Sequence, residues 1–504
     1  RVALRRPIRF IGASMDDTNQ LIAQRRAKLD EMREAGIDPF RNKFTPSELC
    51  GDAKANYVED REVAVAGRLV SQRDMGKTIF AHIKDSSGSI QLFIRKNDLG
   101  EESFNIFKSL DLADFVGARG KLFTTKTGEI SVKVADFTVL AKSLRPPPEK
   151  WHGLADTETR YRQRYLDLIS SDDVRKVMFQ RSAILREIRN FMHGRGFSEV
   201  ETPMMQAIPG GAAARPFVTH HNAFGRDFFL RIALELPLKR LLVGGMDRVF
   251  EMGRIFRNEG ISRRHNPEFT MLEAYQAYGD YETMMDLCQS LICHVAQTVL
   301  GTMIIEQKDA EGNVSQTIDL TPDWKRAKYK DLIRDAAGAD WFEITPDERR
   351  LRALNDLKLE GDIEGDCEDF EVTNAVFEKM VEHTLVQPTF VTHLPKELVP
   401  LAKLSPEDPD CVEVFELCIN GQEIAPAYTE QNDPIEQRAR LEQQAGGEQQ
   451  KLDEDFLAAL EHGMPPAGGI GIGIDRLCIM LLGQESIRDV ILFPQLKPRD
   501  GNPT

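Results

Sequence analysis

No stretch of this 504-residue chain approaches the ~20 consecutive apolar residues that a membrane-spanning helix needs, and nothing in it reads as membrane-embedded. Cysteine is scarce, with 7 residues and no C-x-x-C pair. That argues for a reducing compartment and against both a disulfide framework and a structural zinc site; Cys411 and Cys418 read as core residues. An excess of positive charge is also missing. The 65 Lys and Arg against 80 Asp and Glu leave a formal net charge of −15, so any contact with nucleic acid must use local basic patches. The chain does not open on methionine, and the arginine-rich residues 1–14 are expected to be a leader, either part of a transit peptide or upstream sequence read in frame ahead of Met15.

What is present is length and apolar content enough for two or three domains of about 100–200 residues each. Between Asp16 and Ala35, Leu21, Ile22, Leu29 and Met32 keep helical spacing until Gly36, which predicts an amphipathic N-terminal extension over 15–58. The pattern then changes to short alternating runs, VAVAGRLV, TIFAHIKD, SIQLFIRK, FVGARGKLF and ISVKVADFTVL, with turn glycines between them and a helical stretch at Phe104–Leu110. Five strands with one helical interruption predict an OB-fold β-barrel over 59–145, a fold whose face stacks unpaired bases. Arg145-Pro-Pro-Pro148 opens a stiff linker expected over 146–170. Ser171 then caps a predicted helix ending at Gly194, and a buried strand is expected in GFSEVETPMM. From 171 to 504 the chain reads as one α+β domain, with an acidic, poorly patterned insertion at about 301–375 expected to be a small helical module.

The most informative stretch is Arg248–Tyr278, RVFEMGRIFRNEGISRRHNPEFTMLEAYQAY, which predicts a long-looped antiparallel hairpin. Alternation places Arg257 and Glu259 on one face of the first strand, and Phe269, Glu273 and Tyr275 on one face of the second. Cations, an aromatic plate and carboxylates on one surface suit a nucleotide triphosphate beside a small cationic group. Further on, Asn420-Gly421 predicts a hairpin turn that brings Glu416 and Glu423 to one face despite their odd separation. Near the end, Gly469, Gly471 and Gly473 alternate with isoleucines, leaving one strand face bare for a purine and ribose, and Arg476 opens the following helix.

FRNEG with RHNPEF resembles the second signature motif of the class II aminoacyl-tRNA synthetases. GFSEVETPMM resembles the first motif and GGIGIGIDR the third, while FTMLEAYQAY is similar to the bacterial-type lysine-specific members. The class I signatures HIGH and KMSKS are absent. The resemblance implies an N-terminal OB-fold anticodon domain joined to a catalytic antiparallel sheet flanked by helices, a cytoplasmic homodimer, ATP and Mg²⁺, and lysine and tRNA(Lys) as substrates. It implies ATP binding by Arg257, Glu259, His265, Asn266, Phe269 and Arg476, of which Arg257 and Arg476 act on the reacting phosphates. It implies lysine binding by Gly211, Glu235, Glu273, Tyr275 and Glu430, metal binding by Glu416 and Glu423, and anticodon reading by Arg73, Phe80 and Gln91.

The pattern is departed from around the amino-acid pocket. RIAPELYLKR becomes RIALELPLKR, with Leu234 and Pro237; Val399 replaces a serine; EIANAFSEL becomes EIAPAYTEQ, with Pro426, Tyr428, Thr429 and Gln431. Two other function classes share these motifs: an RNA-binding regulator that keeps the scaffold, and an amino-acid ligase acting on a protein.

Overall fold

The computed structural model describes residues 15–148, 154, 156–309, 312–361, 363, 367–445 and 453–498; the expected leader, 1–14, lies outside them. The chain divides into two compact units, 1–155 and 156–504. In the first, α1 (Met15–Glu34) turns Leu29 and Met32 inward. Two of its basic residues are committed within the unit: Arg25 is buried and donates to Ser143 O and Leu112 O, and Lys28 pairs with Asp111. Strands β1 (Glu62–Asp74), β2 (Thr78–Lys84) and β3 (Ser89–Arg95) are followed by α2 (Glu101–Ser109), then β4 (Phe115–Thr124) and β5 (Ile130–Ala141). They close a barrel in the order β1-β2-β3-β5-β4, as an OB-fold requires. Alternation does the packing: Val63, Val65, Ile79, Ala81, Ile83, Ile90, Leu92 and Ile94 all face the interior.

The second unit opens with two helices, Thr157–Arg162 and Arg164–Ser170, where a linker was expected. Their polar letters conceal an interior contact. Arg164 is fully buried, pairs with Asp167 and donates to Arg488 O and Leu492 O. Ser171 caps α3 (Asp172–Gly194) by accepting from Val174 N, and Ile184, Ile188 and Met192 seat that helix on the core. β6 (Ser198–Glu199) is a two-residue exposed edge rather than the buried strand expected. Then come α4 (Glu235–Val243), β7 (Arg248–Phe256), β8 (Glu268–Ala277) and α5 (Tyr281–Val295).

The insertion is not simply helical. It holds a hairpin of Ile304–Lys308 with Val314–Asp319, a strand β9 (Lys325–Lys328), and helices Tyr329–Ala337, Pro346–Asn355 and Asp369–Val376. β9 joins the main sheet at its edge, and its KRAK sequence carries no apolar alternation to reveal it. β10 (Thr389–Thr392), β11 (Val414–Ile419), β12 (Gln422–Thr429), β13 (Ala467–Gly473) and α6 (Ile474–Leu481) complete the layer. The eight-stranded sheet runs β9-β10-β11-β12-β13-β8-β7-β6, antiparallel except for the pairs at each end. α3, α5 and α6 share one hydrophobic cluster with one face of this sheet; on the other face α4 packs a second apolar cluster with Val249, Ile255 and Ala277, among which the polar site side chains stand. Among the described residues no helix is long and apolar enough to cross a membrane.

Candidate active site

β7 and β8 pair without a break from Arg248↔Gln276 to Phe256↔Glu268, so residues 257–267 form the connecting loop. A pocket of about 200 Å³ opens beside that loop, lined by Arg257, Glu259, His265, Asn266, Phe269, Glu423 and Arg476 among others. Arg257 lies one residue beyond the strand, yet its N still donates to Pro267 O at 2.9 Å. That contact keeps the guanidinium over the Phe269 ring, 5.3 Å from its centroid. Burial holds the Arg257 pKa below its ordinary value, and no described residue accepts from its buried Nε. A half-buried guanidinium with a buried, unused donor is built to receive an anion. Glu259 does not share a strand with Arg257 as expected; it is an exposed loop residue whose N turns back onto Arg257 O.

Arg476 lies in the first turn of α6. Asp475 beside it accepts from Thr270 N at 2.8 Å and from Arg181 Nη2 at 2.5 Å, which fixes the helix start against β8. Arg476 reaches Glu423 at 3.3 Å and His265 Nε2 at 3.2 Å. A guanidinium can only donate, so His265 Nε2 accepts and its Nδ1–H goes to Ser262 Oγ at 2.8 Å. Burial and then Arg476 hold the His265 pKa down, which keeps the ring neutral in this role. Asn266 lines the pocket, but its amide is committed to the loop itself: Nδ2 donates to Glu268 O and Oδ1 accepts from Gln495 N. Its side chain braces the loop in this structure.

Deeper along β8, Glu273 and Tyr275 follow Phe269 on the same face, both buried. Glu273 Oε2 accepts from Tyr275 OH at 3.0 Å, and Oε1 accepts from Leu234 N at 2.9 Å. A proline at 234, as the resembled pattern has, lacks that N–H; the departure adds a donor to the carboxylate. Burial, and then Glu235, push the Glu273 carboxyl up to about 7. Glu235, at the start of α4, accepts from Tyr428 OH at 2.7 Å, and a Cβ on Gly211 would sit 3.3 Å from that of Glu235. Gly211 has φ +85°, so glycine is required there both for the turn and for the close approach. Glu430, just past β12, is 1 % exposed. Sequence reasoning missed Lys239, which is fully buried and contacts both Glu235 and Glu430. Its helical spacing of four from Glu235 was the available signal.

The β13 glycines divide their work differently from the expectation. A Cβ on Gly469 would collide with Glu430 Oε1 and the Tyr275 ring, so its bareness accommodates the carboxylate pocket. Gly471 and Gly473 meet nothing closer than 3.7 Å and leave the open surface.

The two-residue turn at Asn420-Gly421, both at positive φ, pairs Ile419 with Gln422 and Cys418 with Glu423. Glu423 therefore shares the face of Cys418 and Glu416. A bulge next to Glu423 then pairs Pro426 with Glu416 and Tyr428 with Val414, so Glu423, Pro426 and Tyr428 look the same way. Burial, then Glu423 and Glu382, raise the Glu416 carboxyl well above its ordinary range. Glu416, whose carboxyl is held up partly by Glu423, and the part-exposed Glu423 on the same face are hard oxygen donors of the kind a divalent cation takes.

Residues 156–497 match the family described as tRNA synthetases class II (D, K and N), and residues 63–140 match the OB-fold nucleic acid binding domain. The chain belongs to the class II tRNA synthetases. It is 50% identical to the lysine–tRNA ligase of Pelotomaculum thermopropionicum over 493 residues, covering 96% of each chain. It is 51% identical to that of Syntrophomonas wolfei over 489 residues, covering 95% of this chain and 98% of the relative. It is 47% identical to that of Staphylococcus aureus over 501 residues, covering 96% and 100%. Synthetases of this class use ATP.

On the synthetase's OB barrel, Arg73 pairs with Phe80, Phe80 with Phe93, and Gln91 with His82, so the three residues expected to read an anticodon share one outer face. Phe80 is not a core residue; Ile79 and Ala81 on either side of it are. Two further rings extend the plate, Phe93 at 5.1 Å from Phe80 and Phe123 at 5.2 Å from Phe93. Gln91 is held by Glu129 and Ser131, at 2.8 and 2.7 Å. Sequence reasoning missed both rings, although their alternation with Leu92 and Leu122 marks them as outward-facing.

Proposed function

We propose that this synthetase is a lysine–tRNA ligase that forms lysyl-adenylate from lysine and ATP and transfers the lysyl group to the 3′ end of tRNA(Lys). The observation carrying the amino-acid assignment is the set of buried carboxylates of Glu235, Glu273 and Glu430, close enough to Arg257 that its charge acts on Glu273. Carboxylates without enough internal cations favour a ligand with two ammonium groups and disfavour an acidic or neutral one.

In this reading the lysine carboxylate attacks the α-phosphorus of ATP and pyrophosphate leaves. Arg257 holds the carboxylate and α-phosphate, its unpartnered Nε supplying a donor that costs no reorganisation. Phe269 stacks on adenine and Glu259 accepts from its amine. His265 and Arg476 hold the outer phosphates. Gly211 O and Glu235 take the α-ammonium; Glu273, Tyr275 and Glu430 surround the side-chain ammonium. Glu416 and Glu423 would hold Mg²⁺, which neutralises phosphate charge when bound. No protein nucleophile is required; positioning and charge neutralisation supply the rate.

The OB barrel reads the anticodon through Arg73, Phe80 and Gln91. The enzyme acts in the cytoplasm as a homodimer, an assembly supported by exposed apolar side chains at Phe179 on α3 and at Met204 and Met205 after it.

Lysine-dependent ATP–pyrophosphate exchange together with tRNA charging tests the whole reading. Exchange without charging would mark a ligase for another acceptor, and neither activity would mark a regulator. Phe80→Ala should lower charging kcat/KM about 5- to 150-fold and leave exchange unchanged, since stacking is worth ~1–3 kcal/mol per base. An equal fall in exchange would make Phe80 structural.

Pro426 lines the pocket where the resembled pattern has Asn. Its neighbour in register, Glu416, and the adjacent bulge keep it on the ligand face. Pro426→Asn should raise lysine kcat/KM about 2- to 13-fold, the worth of one neutral hydrogen bond, with the ATP KM unchanged. A gain for another amino acid at lysine's expense would refute the lysine assignment.

A further inference from the structure

The pocket assigned to lysine contains a lysine of its own. Lys239 is 0 % exposed, on α4 one turn after Glu235. Its Nζ lies 2.6 Å from Glu235 Oε1 and in direct contact with Glu430 Oε2, and 5.6 Å from the centroid of the Tyr428 ring. Burial opposes its charge, but Glu235 and Glu430 outweigh burial and hold its pKa above the ordinary lysine value. It is therefore an ammonium, placed between two of the three carboxylates that the proposed function uses.

A buried cation bridging two acids is most often a structural ion pair, bought with desolvation and repaid only by good geometry. Three observations set Lys239 apart from that reading. First, it does not balance the charge: among the described residues Glu235, Glu273 and Glu430 stand against one internal ammonium. Arg257 reaches this group only from the nucleotide side, where its charge acts on Glu273. Second, Lys239 takes one oxygen of each partner, Oε1 of Glu235 and Oε2 of Glu430, and leaves Glu430 Oε1 buried with no hydrogen bond among the described residues. That oxygen faces the bare Gly469 and the Tyr275 ring. Third, the donors around the cluster are already spent in a single direction. Tyr428 OH is committed to Glu235, Tyr275 OH to Glu273, and Leu234 N to Glu273. What remains for a ligand is acceptor capacity.

We infer that Lys239 is a positioning and specificity-determining residue, a built-in third ammonium that orients Glu235 and Glu430 and leaves the pocket short of the two positive charges that a diamino acid brings. Glu273, pushed up to about 7, and Glu430, pushed up to about 8, release their protons as the ligand arrives, so that three carboxylates are met by three ammonium groups, one from the chain and two from the substrate, while the substrate's carboxylate goes to Arg257. A monoamino acid leaves one buried carboxylate unpaired, and a neutral isostere such as norleucine is rejected for that reason. The inference rests on the lysine-pocket reading given under the proposed function and deepens it.

The groups facing Glu430 are Lys239 and Glu235 from α4, Glu273 and Tyr275 from β8, and Tyr428 from β12. Burial raises the Glu430 carboxyl, Lys239 lowers it, and the neighbouring carboxylates raise it again. With Lys239 in place the Glu430 carboxyl is already pushed up to about 8, so it holds a proton at neutral pH that the substrate ammonium must displace; removing the Lys239 ammonium moves it further up and makes that displacement harder. Lysine binding becomes weaker, and weaker still as pH falls.

The test uses the full-length enzyme with Lys239→Met, which keeps length and apolar body, and Lys239→Gln, which keeps a donor without the charge. Pyrophosphate exchange is measured with lysine and ATP varied separately between pH 6 and 9. Both variants are expected to raise the lysine KM about 10- to 100-fold at pH 7, with the ATP KM within about twofold of the parent. The rise in lysine KM on acidification should begin at higher pH than in the parent, and norleucine discrimination should fall. Equal losses for lysine and ATP, or a lysine KM with the parent's pH profile, would overturn the inference. So would failure of both variants to fold, which would make Lys239 a structural cation. Glu273→Gln run in parallel separates the two claims. If it leaves the lysine KM unchanged, the pocket reading itself has failed; if it raises KM while the Lys239 variants do not, only the role of Lys239 has.

Discussion

Arg257→Gln is expected to lower kcat of lysine-dependent pyrophosphate exchange about 100- to 1,000-fold, the usual cost of removing one preorganised charge-stabilising donor. The fold should hardly notice. The guanidinium rests on the Phe269 ring and its buried Nε has no acceptor among the described residues. Burial also depresses its pKa, so the free enzyme carries this cation at a cost that an incoming carboxylate and phosphate relieve. Removing it should therefore leave Tm unchanged or slightly raised while activity collapses. Because the interaction is strongest as charge develops on phosphorus, the loss should fall mainly on kcat, with smaller changes in both KM values. A kcat within tenfold of the parent would remove Arg257 from the reacting centre.

Glu273→Gln should raise the lysine KM about 10- to 150-fold, since a hydrogen bond to a charged partner is worth ~1.5–3 kcal/mol. ATP binding should be nearly unaffected, because Glu273 faces the amino-acid side. The same substitution has a stability signature. Burial raises the Glu273 carboxyl from 4.5 to about 7. In the window between those values the folded chain holds a proton that the unfolded chain has released, so its contribution to stability falls as pH rises through that range. Glu273→Gln removes the penalty, and without lysine its Tm at pH 8 should exceed the parent's, the gap narrowing towards pH 4.5. Saturating lysine should stabilise the parent more than the variant. An unchanged lysine KM would take Glu273 out of the pocket, whatever the melting curves show.

The sequence by itself determined the elements whose chemistry is local. The five alternating runs of the barrel, the Ser171 cap, the β7–β8 hairpin and the Asn420-Gly421 turn are each written in neighbouring residues, and each forms, although the first strand of the hairpin ends at Phe256, short of Arg257 and Glu259. The grouping of Arg257, His265, Phe269 and Arg476 around one pocket also followed from motif resemblance, with Glu423 beside them. Parity was legible only as far as the turn. The two-residue loop predicts that Glu416 and Glu423 share a face, but the bulge that adds Pro426 and Tyr428 has no signature in the letters.

Tertiary structure decided the rest, for reasons that sequence patterns do not carry. Polar residues count as exposed in any periodicity argument, so the letters do not reveal that Arg164, Lys239 and Arg25 are buried; contacts with backbone or side chains far along the chain bury them. An edge strand such as KRAK at 325–328 pairs through its backbone and needs no apolar face, which hid it inside an insertion read as helical. Asn266 stood among the ATP-binding residues only through the resemblance, and the hydrogen bonds at both ends of its amide, which brace the loop, have no signature in the letters. Gly469 looked like a floor for adenine; only the packed sheet shows that Glu430 and Tyr275 fill the space above it. The sequence determined which groups are present and which stand on one strand. The charge balance of the pocket, three carboxylates around one internal ammonium, exists only where α4, β8, β12 and β13 meet, because burial turns those charges from solvated surface into recognition.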